Sequence, residues 1–308
     1  MKILIAVPAF NEEQDIVECL KTLTVITEKN KFDICVINDG STDKTEELVS
    51  KFKNVVILKS RTNFGLAQVF NSILSYAIKE SYDYLVIFDA DMQYPAEELK
   101  NLTSKAFGSN ADICIGIRNF KDNKIFSKYK NMLQLLGSFI VSLVLGKKLS
   151  DVTSGFRVYS QRAMESLLIR NNFSYTIESL FQAQKFNLNI EEYSLNKFNR
   201  TRESRLFKSN FDYIVKTLKI LFNTILIYKK NLIFYLYSLS VIPGVILISR
   251  FFLNYIKFGS NTGNVQSLIV GIGYFLFLTL LYMLTLIWSF NMTQTYIVYR
   301  NTFRPSHK

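Results

Sequence analysis

The stretch Tyr84-Leu85-Val86-Ile87-Phe88-Asp89-Ala90-Asp91-Met92-Gln93-Tyr94-Pro95 decides the fold. Five apolar residues end abruptly in two carboxylates, and Pro95 then opens a predicted helix. An unbroken apolar run of this length reads as a strand covered on both faces, as in a parallel sheet flanked by helices. The carboxyl end of such a strand is where open α/β sheets bind ligands. Side chains alternate along extended chain, so Asp89 and Asp91 can point the same way. Two hard oxygen donors side by side suit Mg²⁺ or Mn²⁺ together with substrate phosphates. On spacing alone, an acidic loop capping a helix fits equally well.

Working outward, the same alternation recurs. Apolar runs at 3–7, 34–37, 55–58 and 113–117 read as further buried strands, and helices are predicted between them. Asn11 with Gln14 has the spacing of a capping box, opening a helix to about Lys29. Asp43 with Glu46 caps the next helix, and a third covers about 66–80. Strand and helix alternate with short links, which predicts a mostly parallel α/β sheet flanked by helices. Each strand ends in polar residues: Asn11/Glu12, Asp39, Asn63, Asp89/Asp91 and Arg118. Five such loops on one sheet edge are harder to explain as solvated turns than any one alone.

The chain has 308 residues, is 49% hydrophobic and carries a formal charge of +12. Its mean hydropathy is +0.13. No basic run interleaved with aromatics resembles a nucleic-acid module, so no nucleic acid is expected as a partner. An anionic membrane surface accounts better for the charge. Cys19, Cys35 and Cys114 are isolated in apolar surroundings and read as small buried hydrophobes in a reducing compartment. The one histidine, His307, leaves little basis for His-based catalysis or metal binding. The start has no signal-peptide pattern, which predicts a cytoplasmic N-terminal part.

Segment 128–146 reads as a buried helix or one touching the membrane surface, and another helix is predicted over 174–184. Asn199-Arg200-Thr201-Arg202-Glu203-Ser204-Arg205 is either a solvated basic loop or a phosphate clamp, which arginine suits by its planar donor fork. Phe207, Phe211, Ile214, Leu218, Leu221 and Ile225 recur at helical spacing, with Lys208, Lys216 and Lys219 off that stripe. This fits an amphipathic helix lying on a membrane. Segments 232–252 and 265–290 are long and apolar enough to span. The flanking Lys229, Lys230, Arg300, Arg304 and Lys308 predict cytoplasmic ends at a plasma (inner) membrane. The expected organisation is a catalytic domain over 1–205, a juxtamembrane helix over 206–230 and a membrane hairpin over 231–308. Gly271-Ile272-Gly273 would let spans approach closely, as in a homo-oligomer.

VPAFNEE (7–13), NDGSTD (38–43), DADMQYP (89–95), GIR (116–118) and DVTSGFR (151–157) resemble the family 2 glycosyltransferases of the GT-A fold. More narrowly, they resemble the polyprenyl-phosphate glycosyltransferases, including dolichyl-phosphate mannosyltransferases and bactoprenol glucosyltransferases. The resemblance implies a nucleotide sugar and a polyprenyl phosphate as substrates and the lipid bilayer as a partner. It implies Pro8, Phe10, Glu12, Asp39 and Asn63 at the nucleotide sugar, with Asp89, Asp91 and Gln93 at the metal. It implies Arg118, Lys128, Arg157, Arg200, Arg202, Ser204 and Arg205 as grips for the acceptor phosphate or the departing diphosphate. Asp151 would orient the acceptor. The last motif departs from the pattern: its glycine is absent, and Arg205 stands where lysine is expected. UDP-glucose is the expected donor among UDP-glucose, UDP-N-acetylglucosamine, UDP-galactose and GDP-mannose. Two other readings stay open. One is a processive polysaccharide synthase, although its Gln-x-x-Arg-Trp motif is missing and the one Trp, Trp288, lies in the second span. The other is a non-catalytic scaffold that binds nucleotide sugar.

Overall fold

The computed structural model describes residues 1–30, 32–118, 128–171, 173–196, 210–259 and 265–303. The chain divides into two compact units, Met1–Leu221 and Phe222–Lys308.

The first unit is built on a seven-stranded sheet. Its strands are β1 (Ile3–Ala9), β2 (Phe32–Asn38), β3 (Val55–Lys59), β4 (Tyr84–Ile87), β5 (Ile113–Ile117), β6 (Arg157–Ser160) and β7 (Ile190–Ser194). They lie in the order β3-β2-β1-β4-β6-β5-β7. All run in one direction except β6, which is antiparallel to both of its neighbours. The predicted strands are present, with β4 ending at Ile87 rather than Phe88. Strands β6 and β7 carry no buried apolar run: Arg157-Val158-Tyr159-Ser160 is too short, and Ile190-Glu191-Glu192-Tyr193-Ser194 holds two carboxylates.

Helices α1 (Ile16–Asn30), α2 (Thr45–Ser50), α3 (Leu66–Lys79), α4 (Glu98–Gly108), α5 (Lys128–Leu145), α6 (Gln161–Ser166) and α7 (Thr176–Lys185) complete this unit. Alternating residues of β1 and β2, with Val86 of β4, pack against Ile16, Leu20 and Leu23 of α1 and Leu99 and Leu102 of α4, all fully or nearly fully buried. Burying each such side chain contributes about 1.5–3 kcal/mol. Within α3, Phe70 stacks on Tyr175 with ring centroids 4.3 Å apart.

Two predicted helix starts differ. Asn11 does not cap α1; it sits at φ 55°, and its Oδ1 accepts from Thr42 N at 2.8 Å. The side chain therefore ties the loop after β1 to the loop after β2. Helix α4 begins at Glu98, not Pro95, because a tight turn intervenes, with Glu98 N donating to Pro95 O at 3.0 Å.

Helix α8 (Asn210–Tyr228) crosses the division between the units. Of its predicted apolar stripe, Leu218 is exposed and Leu221 is buried. The side chains of Phe207, Phe211 and Ile214 lie outside the described residues. The second unit contains α9 (Lys230–Phe258) and α10 (Val265–Phe303), both longer than the apolar segments that predicted them. Each is long and apolar enough to cross a membrane. They pack closely at Gly244 and Gly271: a Cβ on Gly271 would stand 3.0 Å from Gly244 O. Tyr274 Oη donates to Ser240 O at 3.0 Å, one turn before Pro243. Gly271 is thus used within the helix pair, whereas Gly273 faces open space.

Gly40 marks the tightest approach between site loops. Its φ is +70°, and a Cβ would lie 2.6 Å from the carbonyl carbon of Thr62. Gly40→Ala is expected to cost about 1–3 kcal/mol from the left-handed backbone and the clash together. Thermal unfolding of the purified protein checks this; an unchanged midpoint would mean the two loops are not pressed together.

Candidate active site

The carboxyl ends of β1 to β5 meet at one edge of the sheet. Because β6 runs backwards, the segment leading into it, 151–156, arrives at that edge as well. Asp89 follows β4 and is half-buried. The chain then turns through Met92 at φ 55°, a conformation that costs an ordinary residue about 1–2 kcal/mol. Gln93 N donates to Asp91 Oδ1 at 3.2 Å, which fixes that carboxylate against its own turn. The Gly155 backbone lies against Asp89: a Cβ at Gly155 would stand 3.3 Å from Asp89 Oδ2 and 3.1 Å from Tyr175 Oη. Tyr175 donates to Gly155 O at 3.0 Å. Tyr94 Oη is 3.4 Å from Ser154 Oγ, and burial pushes its phenol up to about 12, so it stays protonated.

This pole is over-supplied with negative charge. Burial raises the Asp89 carboxyl well above the usual carboxylate range; Asp91 and Glu12 raise it further, against an opposing pull from Arg118. A divalent cation relieves that repulsion. The described residues hold no cluster of three or more His, Cys, Asp or Glu side chains suited to an ion. A carboxylate pair is nevertheless the donor set with which Mg²⁺ is commonly held, the remaining positions going to phosphate and water. Asp89 and Asp91 fit that role.

The loops on the other side of β4 are organised by a few polar bonds. Asp39 is buried, and its two oxygens accept from Phe64 N at 2.9 Å and Gly65 N at 2.8 Å. It therefore shapes the loop that carries Asn63, which is exposed. Glu12 N donates to Thr45 Oγ1 at 2.8 Å. Pro8 is half-buried in β1, and Phe10 is 41% exposed just beyond it.

The other side of the site holds a buried ion pair. Arg118, at the end of β5, grips Asp151 through Nε at 2.6 Å and Nη2 at 2.8 Å, and Nη2 also donates to Thr153 Oγ1 at 2.8 Å. Asp151 is fully buried. Burial raises its carboxyl, but the Arg118 guanidinium and its hydrogen bonds outweigh that and hold it below the usual range. Asp151 is therefore a strut for Arg118 and has no exposed oxygen with which to orient an acceptor directly. Arg157 also departs from expectation. It is fully buried, and it donates to Val152 O, Ser154 O, Thr176 O and Ser179 Oγ at 2.8–3.0 Å. It grips no substrate; it bolts the 151–156 segment to the start of α7. Lys128 opens α5, but its side chain lies outside the described residues, as do Arg200, Arg202, Ser204 and Arg205.

Gly155, Tyr175 and Thr153 were not singled out individually by sequence reasoning. The 151–157 motif carried the signal for Gly155 and Thr153. Nothing in the sequence marks Tyr175, whose contact with Gly155 arises from the fold.

Asp151→Asn is expected to destabilise the protein by about 3 kcal/mol, because Arg118 loses its buried counter-charge. The pH dependence follows from the depressed carboxyl. The ion pair contributes fully above the unfolded-state value of about 3.9 and is lost as pH falls through the lower folded value. The wild-type protein should therefore lose a component of stability on acidification below about pH 4 that the variant lacks. Parallel thermal melts across this range check it, and coincident pH profiles would refute it.

Residues 4–168 match the profile described as Glycosyl transferase family 2. An undecaprenyl-phosphate mannosyltransferase of Micrococcus luteus is 24% identical over 202 residues, covering 62% of this chain and 82% of the relative. A UDP-N-acetylglucosamine–dolichyl-phosphate N-acetylglucosaminyltransferase of Methanococcus voltae is 26% identical over 211 residues, 62% of this chain and 83% of its own. Among solved structures, glucosyl-3-phosphoglycerate synthase of Mycobacterium tuberculosis, in complex with Mn²⁺, UDP and phosphoglyceric acid, superposes with a TM-score of 0.58. It is 15% identical, over 73% of this chain and 77% of that one, a likeness of fold. The sheet order, the carboxylate pair at its edge and the profile match agree: the chain belongs to glycosyl transferase family 2 and is a glycosyltransferase of the GT-A fold.

Proposed function

We propose that the protein transfers a hexose from a nucleotide sugar to a polyprenyl phosphate, with inversion at the anomeric carbon. The observation that carries this reading is the placing of the Asp89/Asp91 carboxylates and the Arg118–Asp151 ion pair on one sheet edge. Asp89 and Asp91 supply negative charge for a cation-bound diphosphate, and Arg118, braced by Asp151, supplies positive charge for a phosphate. The two long apolar helices supply the membrane in which a lipid acceptor resides. Relatives from M. luteus and M. voltae bear names with polyprenyl-phosphate acceptors, which supports the same class.

An oxygen of the acceptor phosphate attacks the anomeric carbon. The bond from that carbon to the diphosphate breaks, and the nucleoside diphosphate leaves with the electron pair. A Mg²⁺ or Mn²⁺ held by Asp89 and Asp91, beside Gln93, would neutralise charge on that leaving group. The phosphate monoester is already anionic, since its second pKa is about 6, so no side chain need act as a strong base. This agrees with a buried, salt-bridged Asp151 and with a single histidine far along the chain. Phe10, Glu12 and the loop shaped by Asp39 line the nucleotide side. Arg118, and Arg200, Arg202 and Arg205 with it, grip phosphate. UDP-glucose is the proposed donor. The catalytic unit and both chain ends are cytoplasmic, and the product feeds cell-envelope glycan or protein glycosylation.

Asp91→Asn should lower transfer by about a thousandfold, equivalent to roughly 4 kcal/mol of lost transition-state stabilisation, while the protein still folds and inserts. Membranes supplied with polyprenyl phosphate and each of the four candidate donors, with mass detection of the lipid product, test both enzyme and donor. Near-normal turnover of the variant would sink the metal assignment. Absence of any glycolipid with every donor would favour a binding scaffold.

A further inference from the structure

Tyr175 stands just before α7 and is buried, at 1% exposure. Its ring lies flat on Phe70 of α3, with centroids 4.3 Å apart and planes 6° from parallel. Phe70 in turn packs against Tyr159 of β6, with 5.2 Å between centroids. A phenol ring clamped in this way has little rotational freedom, so its hydroxyl is presented at a fixed place. That hydroxyl donates to Gly155 O at 3.0 Å. The transfer chemistry itself does not use it.

The residues on either side of Gly155 are held from elsewhere. Ser154 Oγ donates to Gly116 O at 2.6 Å, and Ser154 O accepts from Arg157 Nε at 2.8 Å. Phe156 O accepts from Gly116 N at 2.9 Å. The carbonyl of Gly155 is bonded by Tyr175. Gly155 meanwhile presents a bare Cα to Asp89. A Cβ there would stand 3.3 Å from Asp89 Oδ2, 3.8 Å from Asp89 Oδ1 and 3.1 Å from Tyr175 Oη. One absent methyl group thus borders both the carboxylate and the phenol. A glycine peptide rotates readily. Released from Tyr175, this one would be free to set a carbonyl oxygen beside the Asp89 and Asp91 carboxylates, where further negative charge is disfavoured.

We propose that Tyr175 is a positioning residue for the cation site: by holding the Gly155 carbonyl, it fixes the backbone wall against which the Asp89 carboxylate is set to meet an ion. This role rests on Asp89 and Asp91 holding a divalent cation, as proposed above. Tyr175 touches neither ion nor nucleotide sugar and acts through Gly155. Gly155 belongs to the same device, because a larger residue fills the space between the phenol and the carboxylate.

Binding of Mn²⁺ tests this without turnover. The purified full chain is titrated with Mn²⁺ in the presence of UDP or, separately, GDP, and free ion is followed by its electron paramagnetic resonance signal. Tyr175→Phe keeps the stacked ring and removes the hydroxyl. It should bind Mn²⁺ about tenfold more weakly, the loss expected when a group that supports a metal ligand is removed. Gly155→Ala keeps the hydroxyl and sets a methyl group against Asp89. It should weaken Mn²⁺ binding by about tenfold as well, and it stands in if Tyr175→Phe does not fold. Tyr82→Phe is the control. Tyr82 is likewise buried, but its hydroxyl donates to Asp33 Oδ2 at 2.9 Å, at the other edge of the sheet. This variant should bind Mn²⁺ as the wild type does. Wild-type affinity in Tyr175→Phe or Gly155→Ala overturns the proposal, as does an equal loss in Tyr82→Phe. Asp91→Asn distinguishes the two levels of the reading. If it abolishes Mn²⁺ binding while Tyr175→Phe leaves it intact, the cation site stands and the role of Tyr175 falls. If Asp91→Asn binds Mn²⁺ as the wild type does, both fall.

Discussion

Strand β6 enters the sheet backwards between β4 and β5, and the site depends on that constraint. Parallel strands deliver only their following loops to the carboxyl edge. A reversed strand delivers the segment before it, so 151–156 can face the loops after β4 and β5. Gly155 then leaves no room for a side chain beside Asp89, and Asp151 receives Arg118. The reversal is held by Arg157, the first residue of β6, whose buried guanidinium donates to carbonyls at both ends of the turn and to α7. A buried cation without hydrogen bonds would be very costly. Charge-assisted bonds to four oxygens, each about 1.5–3 kcal/mol, offset the desolvation and make the turn rigid.

The electrostatic layout follows from this geometry. Two carboxylates follow the central strand β4 and form the acidic end of the site, and the Arg118 guanidinium, ion-paired with Asp151, forms the other. The acidic end is unfavourable in isolation, as the raised Asp89 carboxyl registers. The basic end is favourable in isolation, as the lowered Asp151 carboxyl registers. Strain accompanies the acidic end too, in the left-handed backbone of Met92. Unfavourable charge beside a left-handed residue at the edge of a well-packed sheet is expected where a ligand completes the structure.

Most of the fold was legible because β1, β2, β4 and β5 are buried on both faces and must read as apolar runs. Strands β6 and β7 were not legible for the converse reason. One begins with a buried arginine and the other carries two glutamates, and neither pattern has a strand period. The candidate site was legible where chemistry-bearing residues follow an apolar run, as at Asp89 and Arg118, which the fold brings to one sheet edge. It was misread where a polar residue serves the fold. Arg157 in a motif and Asn11 at a helix start have the composition of ligands and caps. Only three-dimensional neighbours reveal that one bolts a turn and the other ties two loops. Tyr175 was invisible because its contact partner is a backbone carbonyl twenty residues away.

Helix α5 shows the same limit of legibility. Ser138 and Ser142 face the 149–152 turn and supply hydrogen bonds that an apolar side chain cannot give. Val141 and Leu145 are buried as well, whereas Met132, Leu135, Leu136, Phe139 and Leu143 are exposed. A run without charge reads alike on both sides, so its sequence does not separate the face that holds the turn from the face that lies outside. The turn it holds carries Asp151, and with it the Arg118 guanidinium.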